Sequence, residues 1–373
     1  MLNQSQDRKG EWREEFQPPP YSHVAATVTI AAVYTYFLVF AQFGFLHALP
    51  AVLGEAHPWL RLIMGFMATA GIAGGFFTAK VYTEKKGLSL LRAGFVIAAA
   101  AAGLTWVARG PLTFFAAALL TGAGLGLITV ALAALLRREI GGTRLGVCIG
   151  TGTGLAYGIS SLPRIFAGAH GIQLMIGIVA AGVGLLASQA FVQRGPRQQT
   201  SGPDYDRTGM GLWIALFLVL VSFDSGVFFM LQHQPALKPA WPAGGQLYLN
   251  AGIHVLAAIL AGAALDRRWI TGTVVTGAAL LVGATLFFTG TQPGAWPAFF
   301  YSAGVSIYSV VLVFYPARRG QPGLAAVLYA VAGWVGSAVG ISVAEKLTVV
   351  PLALPLAAGM AIAGLLIARA WRK

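Results

Sequence analysis

An acidic and a basic side chain occur inside apolar segments of this sequence, where an ionisable group is costly. Asp224 lies in the run LVLVSFDSGVFFM, and His254 lies in the next apolar segment, four residues after Asn250 on the same helical face. If these segments are neighbouring antiparallel helices, the two ionisable groups lie at similar depth. A carboxylate, an imidazole and an amide in apolar surroundings can bind a proton, a cation or a polar solute. We therefore predict a coupling or substrate-binding site here, with structural hydrogen bonding to nearby backbone as the alternative.

Polar side chains in other apolar segments extend this candidate site. They recur at spacings that place several of them on one helical face, as expected for the wall of a cavity. Serine and threonine can also hydrogen-bond to their own helix, so a structural role is the alternative. The further predicted binding residues are Tyr34, Gln42, His47, Tyr157, Tyr301, Ser306 and Tyr308.

A metal site is a competing interpretation, since thioether and imidazole groups are suitable copper ligands. Met230 and His233 lie near the end of the segment that contains Asp224. Asp224 and Met230 are about 240° apart around a helix, so they would not share one site. The sequence contains no nucleotide-binding loop and no catalytic signature, and it predicts neither a cofactor nor an enzyme.

The elements that must position these residues are apolar helices. The 373 residues are 57% hydrophobic and 10% charged, whereas a soluble domain carries about 25% charged residues. Crossing a bilayer core of about 30 Å takes roughly 20 helical residues, and lipid cannot satisfy open backbone groups. We predict an all-α membrane protein with twelve transmembrane helices, near 24–47, 60–82, 88–108, 112–136, 145–166, 171–192, 210–232, 245–265, 268–289, 296–316, 323–344 and 349–370.

The basic residues sort by side of the predicted membrane. With the N-terminus inside, twenty of the 25 lysines and arginines fall on the cytoplasmic side, and the other five are Arg61, Arg109, Arg164, Lys238 and Lys346. The positive-inside rule explains this bias, so the net charge of +13 needs no nucleic-acid partner. We expect both termini in the cytoplasm, a bacterial cytoplasmic membrane as the location, the lipid bilayer as a partner, and a monomer.

A polar linker at 193–209 divides the helices into six and six. It follows a predicted six-helix bundle at 24–192 and precedes a second at 210–373, and a tail at 1–23 is predicted to be cytoplasmic and disordered. Such a division predicts two pseudo-symmetric bundles that move around a site near the middle of the membrane.

The motif GAALDRR, with Gly262, Asp266, Arg267 and Arg268, adds a specific signal. With the topology, it resembles the major facilitator superfamily, which carries this motif between helices 8 and 9 and between helices 2 and 3. The copy between helices 2 and 3 is degenerate here, because Ala79 stands where the family has Asp. We predict that Asp266 forms a conformational latch with a basic residue or a helix N-terminus. In the alternative, Arg267 and Arg268 are only topology signals.

The resemblance implies where the two bundles meet and what the protein does. Helices 5 and 8, and helices 2 and 11, would pack across the bundles, so the stripes of small residues on helices 5 and 11 are candidate sliding surfaces, with static close packing as the alternative. The stripes are Gly146, Gly150, Gly154 and Gly158 on helix 5, and Gly333, Gly336, Ser337 and Gly340 on helix 11. The expected function is secondary transport of a small solute by alternating access, coupled to protons or cations through Asp224. The alternatives are a copper or other transition-metal importer on the same fold, and a non-transporting membrane subunit or assembly factor.

Overall fold

The computed structural model describes residues 20–54, 58–191, 207–233, 237, 241–289 and 296–371. All regular secondary structure in these ranges is helical. Eleven of the described helices are long and apolar enough to cross a membrane, and a twelfth apolar helix, α5, is shorter. In chain order they are α1 (Tyr21–Leu53), α2 (Leu60–Val81), α3 (Gly87–Val107), α4 (Pro111–Ile140), α5 (Leu145–Ser160), α6 (His170–Ala190), α7 (Gly209–His233), α8 (Gln246–Asp266), α9 (Ile270–Phe288), α10 (Trp296–Arg319), α11 (Pro322–Ala344) and α12 (Ala353–Ala370).

Helix α5 ends earlier than the sequence predicts. A continuous segment over 145–166 was expected, but the helix stops at Ser160 and a separate turn of helix follows at Pro163–Phe166. The cause is Pro163, because the residue before a proline is driven out of the helical region, and Leu162 has φ −64° and ψ 135°. Sixteen residues span about 24 Å, less than a typical bilayer core.

Two helices contain π-helical segments, at Tyr36–Gly44 in α1 and at Tyr329–Val335 in α11. A wider π turn shifts the phase of every later side chain relative to an α-helix. Helix α1 also begins within the predicted tail, so residues 21–23 are helical. Residues 1–19 and 192–206, which hold most of the predicted tail and linker, lie outside the described residues.

Most helices pack against helices that are not their neighbours in the chain. Among the first six, α2 packs on α4, α3 on α4 and α6, and α1 on α5 and α6. Among the last six, α7 packs on α11 and α12, α9 on α10, and α8 on α10. The contacts between these two groups include α5 with α8, α2 with α11, and α4 with α10. The first two are the pairings that the resemblance implies.

The glycine stripe of α5 faces α8 and lets the two backbones touch. A Cβ at Gly150 would collide with the carbonyl oxygen of Ala258, and a Cβ at Gly154 would lie 3.0 Å from the Ala258 Cβ. Small residues at such interfaces allow close helix packing in lipid. The prediction that this stripe lies between α5 and α8 is confirmed.

The stripe on α11 has a different partner from the one expected. A Cβ at Gly340 would collide with the Ser222 carbonyl oxygen of α7, and Gly336 also faces Ser222. Ser225 of α7 donates a hydrogen bond to Ser337 of α11 at 3.0 Å. The expectation that this stripe forms a surface towards α2 is therefore wrong, because its small residues accommodate α7.

We use "outer end" for the end of the helix bundle at which α2 begins and α11 ends, following the predicted orientation, and "cytoplasmic end" for the opposite one.

Candidate functional site

Asp224 lies near the middle of α7 and is held by two tyrosines of α10. The Tyr301 hydroxyl donates to Oδ1 of Asp224, and the Tyr308 hydroxyl donates to Oδ2. The Tyr301 hydroxyl also lies 3.0 Å from the Asp224 carbonyl oxygen. The two tyrosines are seven residues apart, or about two helical turns, so both reach the same side of α10. Two hydroxyl donors on one carboxylate stabilise its charged form in apolar surroundings.

Tyr157 links His254 to this carboxylate site. Its ring stacks on the His254 ring with centroids 5.0 Å apart, and its hydroxyl hydrogen-bonds Ser309 at 2.9 Å. His254 Nδ1 in turn lies 2.7 Å from Ser306 Oγ. Ser309 follows Tyr308 in α10, so α5, α7, α8 and α10 meet here. Asp224 and His254 share a depth, as predicted, but no direct hydrogen bond joins them in the described structure, and Tyr157 lies between His254 and Ser309, the residue after Tyr308.

Tyr34 also reaches this region, through a partner that sequence reasoning missed. Its side chain lies next to that of Tyr329, the first residue of the π-helical segment of α11. Val33, Tyr34, Leu132, Val313 and Tyr329 line a small cavity between α1, α4, α10 and α11. The available signal for Tyr329 is its hydroxyl in an otherwise apolar stretch of α11.

Three buried polar groups near the site have no hydrogen-bond partner among the described residues. The three groups are the Asn250 side-chain amide, in which the oxygen and the nitrogen are both unpaired, the Ser302 hydroxyl and the Trp241 indole nitrogen. Asn250 and Ser302 are 0% exposed. Asn250 was predicted from the sequence, whereas Trp241 lies just before α8 and carried no periodic signal.

An aromatic cluster covers the site towards the outer end. Trp241 packs against Tyr301 at 6.0 Å, Phe228 at 5.8 Å and Phe166 at 6.3 Å between ring centroids. Phe43 of α1 contacts both Phe166 and Phe228. We call Phe43, Phe166, Phe228 and Trp241 the outer aromatic cluster. It joins the first six helices to the last six between Asp224 and the outer end.

Two predicted binding residues of α1 lie apart from the Asp224 site. His47 is exposed near the outer end, and its Nδ1 atom hydrogen-bonds Gln173 Oε1 at 2.9 Å. Gln42 is half-buried within the π-helical segment. The structure therefore does not bring these two side chains into contact with Asp224, Tyr301 or Tyr308.

The predicted metal residues are not brought together either. Met230 is buried in the hydrophobic core, whereas His233 is exposed at the end of α7, where its ring stacks on Phe229 and bonds the Phe229 carbonyl oxygen at 3.0 Å. The described residues contain no group of three or more His, Cys, Asp or Glu side chains that could hold a metal ion.

The GAALDRR motif forms a contact across the two helix groups at the cytoplasmic end. Asp266 Oδ1 accepts from the Gly146 backbone N–H at 2.6 Å, and Oδ2 accepts from the Val147 N–H at 2.9 Å. Gly262 lies against the Gly146 carbonyl oxygen and has no room for a Cβ. A carboxylate at a helix N-terminus satisfies free N–H groups and interacts favourably with the helix dipole.

The two arginines of the motif play a different part from Asp266 in the structure. Both are exposed, Arg267 donates to the Ala263 carbonyl oxygen at 3.2 Å, and Arg268 has φ 65° in the tight turn before α9. Of the two partners that were predicted for Asp266, the structure therefore contains the helix N-terminus.

Charge is distributed unevenly around the site. In the described apolar helices, each lysine and arginine lies within about two turns of a helix end. Glu139 and Asp266 also lie at helix ends, while Asp224 lies mid-helix. The region around Asp224 therefore offers hydroxyls, an amide and an imidazole, and no side-chain cation.

Comparison with solved structures identifies the fold. The human organic anion transporter MFSD10 (TETRAN) superposes with a TM-score of 0.60 at 16% identity, over 93% of this chain and 100% of that one. FucP, a major facilitator superfamily transporter in the outward conformation, gives 0.61 at 13% identity, over 94% and 99%. The chain has the major facilitator superfamily fold. The nucleoside transporter NupG gives 0.56 at 10% identity, over 93% and 98%. No protein-family model and no curated protein sequence matches the chain.

Proposed function

We propose that this protein is a proton-coupled secondary transporter that moves a small solute by alternating access. It would cross the membrane twelve times in two six-helix bundles, at 24–192 and 210–373, with α5 extended by the turn at Pro163–Phe166. Both termini would lie in the cytoplasm of a bacterial cell, and the working unit would be a monomer. The similarity to transporter structures supports the general class, and the arrangement around Asp224 supports the coupling.

The observation that carries this proposal is the mid-membrane position of Asp224 with two tyrosine donors. Ionisable residues inside a membrane are rare and usually mark ion pathways or proton relays. Tyr301 and Tyr308 stabilise the charged carboxylate by donating one hydrogen bond to each of its oxygens. Protonation would remove that charge and weaken both hydrogen bonds, so α7 and α10 would be free to separate.

Two contacts would gate the site at opposite ends of the molecule. The outer aromatic cluster would close the outer side, and Asp266 at the N-terminus of α5 would hold the cytoplasmic side closed. Alternating access requires that these two closures are broken in turn. Protonation of Asp224 shifts the equilibrium between the two conformations only if Asp224 binds a proton more tightly in one conformation than in the other.

Transport in proteoliposomes with the Asp224→Asn variant tests the coupling. The solute is one that raises the thermal stability of the purified protein in a panel of small molecules. We expect Asp224→Asn to lose at least about tenfold in accumulation driven by a pH gradient, because an amide cannot carry the proton. Exchange of labelled solute at equal pH should persist. Glu345→Gln, which changes an exposed carboxylate, is the control and should keep both activities.

Accumulation by Asp224→Asn that still follows the pH gradient would refute the coupling. If neither gradient-driven uptake nor exchange occurs in the unmodified protein with any bound solute, a non-transporting subunit or assembly factor becomes the better interpretation. Metal analysis after loading with copper separates the remaining alternative, since stoichiometric copper would favour the importer.

A further inference from the structure

Asn250 and Ser302 occupy equivalent positions on two neighbouring parallel helices. His254 of α8 bonds Ser306 of α10, and Asn250 and Ser302 each precede these residues by four positions. Four residues advance a helix by about 6 Å on the same face. Asn250 and Ser302 therefore lie at one level, one turn further towards the outer end than the His254–Ser306 pair.

These groups are buried without being paired. Both side-chain atoms of Asn250 and the Ser302 hydroxyl lack a partner among the described residues, and the two side chains are fully buried. Buried polar groups in proteins are nearly always hydrogen-bonded, so each exception requires an explanation. Ser306, one turn away in the same helix, has its partner, so the missing partners are a local feature.

A third unpaired group lies on the outer side of the same region. Among the described residues, the Trp241 indole nitrogen has no partner, and its ring packs against Tyr301, the residue before Ser302. The indole can only donate a hydrogen bond, while the Asn250 amide and the Ser302 hydroxyl both donate and accept. The set lies next to the Asp224 site but contains none of the hydroxyls that hold its carboxylate.

The chemistry of these groups defines what they can recognise. The three groups are uncharged, and the described helices place no lysine or arginine near mid-membrane to balance an anion. Asp224, the carboxylate nearby, already accepts two hydroxyl hydrogen bonds and is the proposed proton carrier, so we assign it to the coupling ion and not to the solute. A suitable ligand is neutral and presents adjacent groups that donate and accept, beside an apolar face that can pack on aromatic rings.

We propose that Asn250, Ser302 and the Trp241 indole nitrogen form the solute-binding subsite, and that its ligands are small neutral molecules with adjacent hydroxyl or carboxamide groups. This inference rests on the proposed transport function and names the class of solute. A site that is built to bond such groups rejects analogues without them, because its own polar atoms would stay unpaired. Organic anions, after which the human transporter MFSD10 is named, are outside this class.

Stability measurements on the purified protein test the subsite without any ligand. Asn250→Leu and Ser302→Ala remove buried polar atoms that have no partner in the described part of the chain, so we expect the apparent melting temperature to rise by a few degrees. Ser306→Ala is the matched control from the same helix, and it should lower the melting temperature because it leaves His254 unpaired. If Asn250→Leu and Ser302→Ala destabilise the protein as much as Ser306→Ala, the proposal is overturned.

Ligand binding provides the second test. The probes are myo-inositol, glucose, uridine and nicotinamide as neutral compounds, benzoate as an anion and tetraethylammonium as a cation, each measured by thermal shift and calorimetry. We expect at least one neutral probe to bind, with a tenfold or greater loss of affinity in Asn250→Ala and in Ser302→Ala. Three results would overturn the proposed ligand class. The protein could bind only the ions, or none of the probes, or the neutral probes with an affinity that neither substitution changes.

The two proposals fail in different ways. Binding that depends on Asn250 without any transport would leave the subsite in place and refute the transport function. Gradient-driven transport of an ion that is unchanged when Asn250 is substituted would support the transport function and refute the subsite.

Discussion

The pair of tyrosines at Asp224 shows how single side chains support a charge in apolar surroundings. Neither tyrosine is adjacent to Asp224 in sequence, since both come from α10 and the carboxylate from α7. Their hydroxyls replace the water that a carboxylate would otherwise bind, and their rings pack in the hydrophobic core. The polar function of this site is therefore inseparable from its packing.

A double-mutant cycle tests whether Tyr308 acts through Asp224. Tyr308→Phe removes one donor, and we expect a loss of about 1–2 kcal/mol in the free energy of unfolding in detergent micelles. The same change in an Asp224→Asn background should cost less, because the charged acceptor is already gone. Tyr248→Phe on the exposed face of α8 is the control and should change stability by less than about 0.5 kcal/mol. Equal costs in both backgrounds would show that the two residues act independently.

At the level of residues, the sequence predicts polar side chains in apolar helices better than it predicts their partners. Asp224, His254, Tyr157, Tyr301 and Tyr308 are distinctive because a polar group in lipid is costly. The stacking of Tyr157 on His254 depends on how α5 and α8 cross, which no local pattern encodes. Whether these residues carry transport stays a prediction.

The positions at which the apolar helices end or change their winding depend on backbone chemistry, which hydrophobicity does not report. Hydrophobicity predicts twelve apolar segments, and it predicts that the fifth continues past Pro163. The backbone leaves the helical conformation before that residue. Hydrophobicity also treated α1 as a regular α-helix. The π-helical turn at Tyr36–Gly44 changes the direction in which the later side chains of α1, including Gln42 and His47, point relative to Tyr34.

The interface between α5 and α8 makes a prediction about close packing. Gly150→Ala places a methyl group against the Ala258 carbonyl oxygen, so the helices must separate, at a cost of about 1–3 kcal/mol in stability. Gly252→Ala in α8 is the matched control, because its Cβ meets no atom within 4 Å. It should be neutral or stabilise by up to about 1 kcal/mol through helix propensity. Thermal unfolding in detergent measures both, and equal effects would contradict the packing argument.

For the whole molecule, the contacts at the two ends differ in kind. At the cytoplasmic end, a half-buried carboxylate binds two backbone N–H groups. At the outer end, an exposed ion pair joins Arg61 to Glu345 at 3.1 Å. Exposed ion pairs contribute little to stability, whereas a charge at a helix N-terminus contributes more. We therefore expect Asp266 to influence the conformational equilibrium more than Glu345 does.

Cys148, the single cysteine of the chain, can report on that equilibrium. It is buried in α5, one residue after Val147, whose N–H binds Asp266. Asp266→Ala should raise the rate at which a maleimide labels Cys148 by at least about threefold, because loss of roughly 1 kcal/mol favours the open cytoplasmic side. Glu345→Gln should change the rate by less than about twofold. The same rate in both variants would argue against a latch at Asp266.

The wider turns of α1 and α11 also have a consequence for tolerance to insertions and deletions. A π-helical turn corresponds to one residue inserted into an α-helix. Deleting a single residue within Tyr36–Gly44 can be absorbed by tightening that turn, whereas a deletion in the regular helix α4 must rotate every later side chain by about 100°. These two segments are thus the places within the apolar helices where the chain length can change by one residue with the least disturbance to the rest of the bundle.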